Sequence, residues 1–183
     1  MIAFITKAST YAIWVMKADG SNQHILVQGI GACQHVGWSP DSKRVVLAYD
    51  NTGGNRYEIY TVNVDGSGLV QLTNTDSVNA APAWSPDGTK IAFHSNREGF
   101  LAIYLMNADG SGQTRLTDST ITCNEPLWSP NGMEISYIGY RGAIDVSNMG
   151  LYVMNSDGTG QNKLAIGNIV GTFSIWAKLP AYP

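Results

Sequence analysis

Two short motifs recur along this chain in fixed phase, and that recurrence constrains the fold more than any other feature. Trp-Ser-Pro-Asp stands at Trp38–Asp41 and Trp84–Asp87; Trp128–Asn131 carries Asn in the last place, and Trp176 begins a degenerate copy. Asp-Gly stands at Asp19–Gly20, Asp65–Gly66, Asp109–Gly110 and Asp157–Gly158. Both series step by 46, 44 and 48 residues. A period in this range marks stacked units that cannot bury their own faces alone, and it suits four-stranded propeller blades.

The third unit shows why each repeat forms strands. Ala83-Trp84-Ser85-Pro86-Asp87-Gly88 ends one strand in a tight turn, where proline supplies the fixed φ of the second position. Lys90–His94 then reads as a short buried strand, and Ile103–Asn107 as a third. The Asp109-Gly110 turn predicts a primed hairpin with positive φ at both central residues. Gln113–Thr117 alternates in polarity like a half-exposed outer strand. No segment carries a helical period. The predicted fold class is therefore all-β: one β-propeller domain over 1–183, built of four antiparallel four-stranded blades. Its repeat units run at about 1–38, 39–84, 85–128 and 129–176, followed by a tail at 177–183.

Spacing separates constant from variable segments. From each turn Asp to the next Trp the distance is always 19, whereas from each Trp to the next turn Asp it is 27, 25 and 29. All length variation thus falls between the second and third strands of a unit, at Asp50–Tyr57, Ser95–Leu101 and Gly139–Gly150. These loops share one rim, the expected place for a protein or peptide partner. At the ends, Ile2-Ala3-Phe4 matches Ile91-Ala92-Phe93, so the first inner strand is missing there, while Gly171–Trp176 supplies an inner strand with nothing after it. The C-terminal strand is expected to join the N-terminal blade and close the ring, removing two exposed edges. A head-to-tail dimeric ring of eight blades, or a place within a longer propeller, are the alternatives.

Composition narrows the partners. Charged residues make up 14% of the chain and net charge is -3, which leaves no electrostatic case for nucleic acid or an anionic membrane. So few surface charges repel other copies weakly, and self-association into a homo-oligomer is expected. No apolar run reaches the roughly 18 residues that span a bilayer, and no signal peptide opens the chain.

No catalytic, cofactor-binding or metal residue is assigned, and no cofactor is expected. Ser39, Ser85 and Ser129, with Asp41 and Asp87, recur once per unit beside proline and read as turn chemistry, whereas a nucleophile needs one dedicated base. His24, His35 and His94 fall on different strand types, an outer, an inner and a second strand, which argues against a shared zinc ion. The Asn-x-Asp-Gly-Ser-Gly turn lacks the alternating acids of a calcium loop. Cys33 and Cys123 hold equivalent places two blades apart; free buried thiols are expected, with a disulfide across the channel as the alternative. Trp14, Tyr60, Tyr104 and Tyr152 match one another in the third strands and are expected to pack blade on blade, with an aromatic binding surface as the alternative. Leu179–Pro183 is an apolar tail that covers the ring or docks on a neighbouring copy.

Ile103–Thr117 and Pro82–Phe93 together resemble the TolB-type β-propeller repeat. The resemblance extends over essentially the whole chain. It implies a periplasmic or extracellular binding scaffold, or an accessory propeller of a serine hydrolase. The expected function is accordingly a non-enzymatic extracytoplasmic scaffold or interaction module; the alternatives are a ligand- or peptide-binding propeller and a hydrolase fragment.

Overall fold

The structure, a computed structural model, describes residues 1–50, 52–54, 56–140 and 149–166. Regular structure among these residues is entirely β. Strands β1 (Ile2–Lys7), β2 (Tyr11–Met16) and β3 (His24–Ile30) form the first sheet. The second contains β4 (Cys33–Trp38), β5 (Arg44–Tyr49), β6 (Glu58–Asn63) and β7 (Val70–Gln71). The third contains β8 (Asn79–Trp84), β9 (Lys90–Ser95), β10 (Ala102–Asn107) and β11 (Thr114–Arg115). The fourth contains β12 (Thr122–Trp128), β13 (Glu134–Tyr140), β14 (Gly150–Asn155) and β15 (Asn162–Ile166). Each sheet is an antiparallel meander with strands in chain order, as a propeller blade requires. Inner strands β4, β8 and β12 neighbour one another in series. Gly171–Trp176, expected from the sequence to close the ring, and the tail lie outside the described residues.

The core sits between blades. Val45 and Leu47 of β5 join Ile13, Val15 and Leu26 of the first blade, whereas Val46 joins Ile91, Phe93 and Met106 of the third. Alternate residues of one strand thus face opposite neighbours, the period-two rule applied to a sheet covered on both sides. That is why β5, β9 and β13 are buried at every position after the first, with apolar stretches such as Val45–Ala48 and Ile91–Phe93. Ala92 of β9 turns the other way, into a cluster with Cys123, Ile135 and Tyr137 of the fourth blade.

Three of the four third-strand aromatics pack between blades as the sequence suggests: Tyr60 lies in the first inter-blade cluster, Tyr104 in the second and Tyr152 against the third, whereas Trp14 joins none of these clusters among the described residues. Each also stacks within its own sheet. The ring pairs are Phe4–Trp14, Tyr49–Tyr60, Phe93–Tyr104 and Tyr137–Tyr152, with centroids 6.4, 4.2, 5.7 and 5.4 Å apart.

The Trp-Ser-Pro turns are internally bonded. Ser39 Oγ donates to Asp41 Oδ1 at 2.6 Å and accepts the Arg44 N–H at 2.9 Å. Ser85 and Ser129 make the same pair of bonds with Asp87 and Lys90, and with Asn131 and Glu134. The residue closing each turn is left-handed: Ser42 at φ 58°, Gly88 at 71° and Gly132 at 72°.

The Asp-Gly turns differ from the predicted primed hairpin. Only the glycine has positive φ, at 81, 84, 87 and 88° for Gly20, Gly66, Gly110 and Gly158. Gly66 N–H bonds Asn63 O at 2.9 Å and Asn63 N–H bonds Ser67 O at 2.9 Å. This is a three-residue connection, a type I turn followed by a left-handed glycine. Asp65 stays right-handed because its Oδ1 accepts the Ser67 N–H at 2.9 Å. The turns also dock on the preceding blade. A Cβ on Gly110 would lie 2.9 Å from Leu72 O, and one on Gly158 3.0 Å from Leu116 O. Next to these leucines, Thr73 and Thr117 accept the Ile59 and Ile103 N–H groups at 2.8 and 2.9 Å, completing the ladder where the outer strand leaves it.

Candidate functional site at the channel mouth

Each described inner strand β4, β8 and β12 is bulged three residues before its Trp. Pairing slips between Gln34 and Val36, between Ala80 and Ala83, and between Asn124 and Leu127. At these bulges His35, Ala81 and Glu125 take φ of 56, 49 and 53°. A left-handed non-glycine residue costs roughly 1–2 kcal/mol, and a bulge re-aims the side chain it carries. Here the redirected groups meet across the channel. His35 Nε2 lies 3.2 Å from Glu125 Oε1, linking the second blade to the fourth. Ala81, on the blade between them, is buried and small enough to leave the path open.

His94, near the end of β9, completes the cluster. Its Nδ1 accepts the Glu125 backbone N–H at 3.4 Å, which requires an unprotonated Nδ1. Burial pushes its pKa down to about 4, consistent with a neutral ring. The hydrogen bond from His35 holds the Glu125 carboxyl below its ordinary range, against the burial that would raise it. Among the described residues, His35 Nδ1 and the Oδ1 of Asn124, next to Glu125 in the chain, are buried with no hydrogen-bond partner. Unused hydrogen-bonding capacity of this kind is what a ligand site needs.

A second network braces the same rim. Arg97, on the loop after β9, donates to Ser95 Oγ at 3.0 Å, Gln113 Oε1 at 2.7 Å and Asn79 Oδ1 at 2.7 Å, and lies 4.7 Å over the Tyr104 ring. Asn79 Nδ2 donates to the buried Glu58 carboxylate at 3.0 Å, tying the second blade to the third. Variable loops 50–57 and 96–101 spring from this framework. The longest, Gly139–Gly150, falls largely outside the described residues.

The other residues weighed from sequence have local roles. Ser39, Ser85 and Ser129 are engaged inside their turns. His24 Nε2 bonds Val64 O at 2.9 Å and joins the first two blades. Cys33 and Cys123 are free, buried, and pushed up to about 12 by that burial. Two of the three histidines do converge, around Glu125, a residue the sequence did not single out. The available signal was positional: residues 35, 81 and 125 each stand three places before a repeat Trp.

A family model for the TolB beta propeller domain matches residues 1–176. Dipeptidyl-peptidase 5 of Porphyromonas gingivalis is 45% identical over 69 residues, 36% of this chain and 10% of that protein. The Tol-Pal system protein TolB of Francisella tularensis is 29% identical over 83 residues, 45% of this chain and 19% of that protein. A solved TolB-like structure from Agrobacterium tumefaciens superposes with a TM-score of 0.82 at 26% identity, over 95% of this chain and 65% of that one. The matched stretches thus span only a minor part of the curated relatives.

Proposed function

The chain belongs to the TolB β-propeller domain family, and from that premise we propose a non-enzymatic extracytoplasmic module that binds a protein or peptide at its channel mouth. The observation that carries this reading is the His35–Glu125 contact, made where two left-handed bulges re-aim the side chains they carry. The repeated serines, held by turn acids and amides, support the absence of hydrolytic chemistry. Likeness to a Tol-Pal system protein supports an envelope location.

The test is selection of a random peptide display library on the intact protein, counter-selected on Glu125→Ala and His35→Ala variants. Sequences retained by the parent and lost by both variants are expected. Equal capture by all three proteins, or turnover of chromogenic peptide or ester substrates by the parent, would overturn the reading.

End-to-end self-association is a second reading with its own observation. Leu26 and Leu72, which receive the next blade's Asp-Gly turn, are 6% and 7% exposed, whereas their counterpart Leu164 is 58% exposed. Gly20, the turn glycine of the first blade, meets nothing within 4 Å among the described residues. Sedimentation should then show a concentration-dependent oligomer that Leu164→Asp dissociates. A monomer at every concentration would remove this reading.

A further inference from the structure

On the opposite rim, Arg44 and Lys90 each stand six places after a repeat Trp, at the junction with the next blade. In the second blade the Arg44 guanidinium lies 4.7 Å over the ring of Trp84. Trp84 is 8% exposed beneath it, and the remaining inter-blade cleft holds about 350 Å³. In the third blade the counterpart is Lys90. Its ammonium turns aside to Asn107 Oδ1 at 2.7 Å. The Trp128 ring stays half-exposed, and the cleft between the third and fourth blades opens to about 610 Å³. Trp128 is held for the purpose, since its Nε1 donates to Ala83 O of the preceding blade at 3.1 Å. Asp87 and Asp157 line the same cleft, against Lys90 as its lining cation. Both carboxylates are exposed and stay ionised, because hydrogen bonds from their own turns hold them below the usual range.

We propose that this cleft binds the arginine side chain of a protein partner, its guanidinium stacked on Trp128 between Asp87 and Asp157 as Arg44 stacks on Trp84. The repeat supplies the template: the same scaffold receives a guanidinium at one blade junction and leaves the equivalent seat empty at the next. Guanidinium suits the seat better than ammonium because it is planar, weakly hydrated and able to stack while bonding in its plane. The site lies on the rim away from His35 and Glu125 and does not depend on the channel-mouth reading.

The probe is Nα-acetyl-arginine amide, titrated against the intact protein while the indole N–H resonances are followed by NMR. Nα-acetyl-citrulline amide, uncharged but nearly isosteric, is the control. Saturable millimolar binding that shifts the Trp128 resonance is expected with arginine and not with citrulline. Lys90→Arg should abolish the shift, because the chain then fills its own seat as it does at Trp84. Asp87→Asn should weaken binding about fivefold, the loss of one carboxylate at contact distance in a solvent-exposed cleft; Asn131 shows that Asn holds this turn. Equal binding of citrulline or an unchanged shift in Lys90→Arg would each overturn the proposal.

Discussion

Replacing the turn glycines with alanine, one blade at a time, separates backbone strain from blade docking. All four share a φ between 81 and 88°, so each alanine carries the same left-handed penalty, roughly 1–2 kcal/mol. They differ in what the new methyl meets. At Gly110 it would lie 2.9 Å from Leu72 O, at Gly158 3.0 Å from Leu116 O, and at Gly66 3.4 Å from Ile25 O. At Gly20 nothing among the described residues lies within 4 Å. The first two contacts are with backbone carbonyls and can be relieved only by moving one blade against the next. Such overpacking adds about 1–3 kcal/mol. Gly110→Ala and Gly158→Ala should therefore lose about 2–5 kcal/mol, Gly66→Ala less, and Gly20→Ala only the strain term. With a urea slope of about 2 kcal/mol per M, the larger losses move the midpoint by roughly 1–2.5 M. Equilibrium urea unfolding followed by tryptophan fluorescence reads the series. If Gly110→Ala loses no more than Gly20→Ala, the turns do not dock on the preceding blade and the reasoning fails.

Three further outcomes follow from the same structure. Ser42 is exposed and left-handed where the equivalent turns have glycine, so Ser42→Gly should stabilise by about 0.5–1 kcal/mol, read as a thermal midpoint raised by a few degrees. His94 titrates near 6.5 in the unfolded chain and at about 4 when folded, so its stabilising contribution is complete above pH 6.5 and is lost as pH falls towards 4. The wild type should lose roughly 3 kcal/mol across that window, and His94→Gln should flatten the profile; unchanged slopes would show that the ring is not buried neutral. Cys33 and Cys123 should resist a thiol-specific chromogenic reagent at pH 8 and both react in denaturant, since burial holds each at about 12. Rapid labelling of the native protein would contradict that burial.

The repeat made much of the architecture legible. Blade order, four strands per complete blade and the placement of loops 50–57 and 96–101 follow from motif phase, because every strand crosses the same layer and differs only in its connections. The inner face of the site was hidden. His35 and Glu125 are 90 residues apart in sequence, and alternation alone would place them in an ordinary ladder. Only the bulges, visible as left-handed φ at the same position of three strands, turn them toward one another. The hairpin type is hidden for a related reason: Asp-Gly satisfies both a primed turn and a type I turn with a left-handed glycine. The number of residues bridged selects between them.

By itself the sequence determined the blade pattern, the doubly buried second strands and the packing role of the third-strand tyrosines, since these depend on local periodicity and on turn chemistry repeated in phase. The tertiary structure alone decided where equivalent positions diverge: a histidine–carboxylate contact between the second and fourth blades, a glycine pressed on a neighbour's carbonyl, and a partly exposed Trp128 beside a Lys90 that turns to Asn107. The repeat makes the positions alike. The distances between blades, and the direction each side chain takes into them, arise only once the sheets are packed.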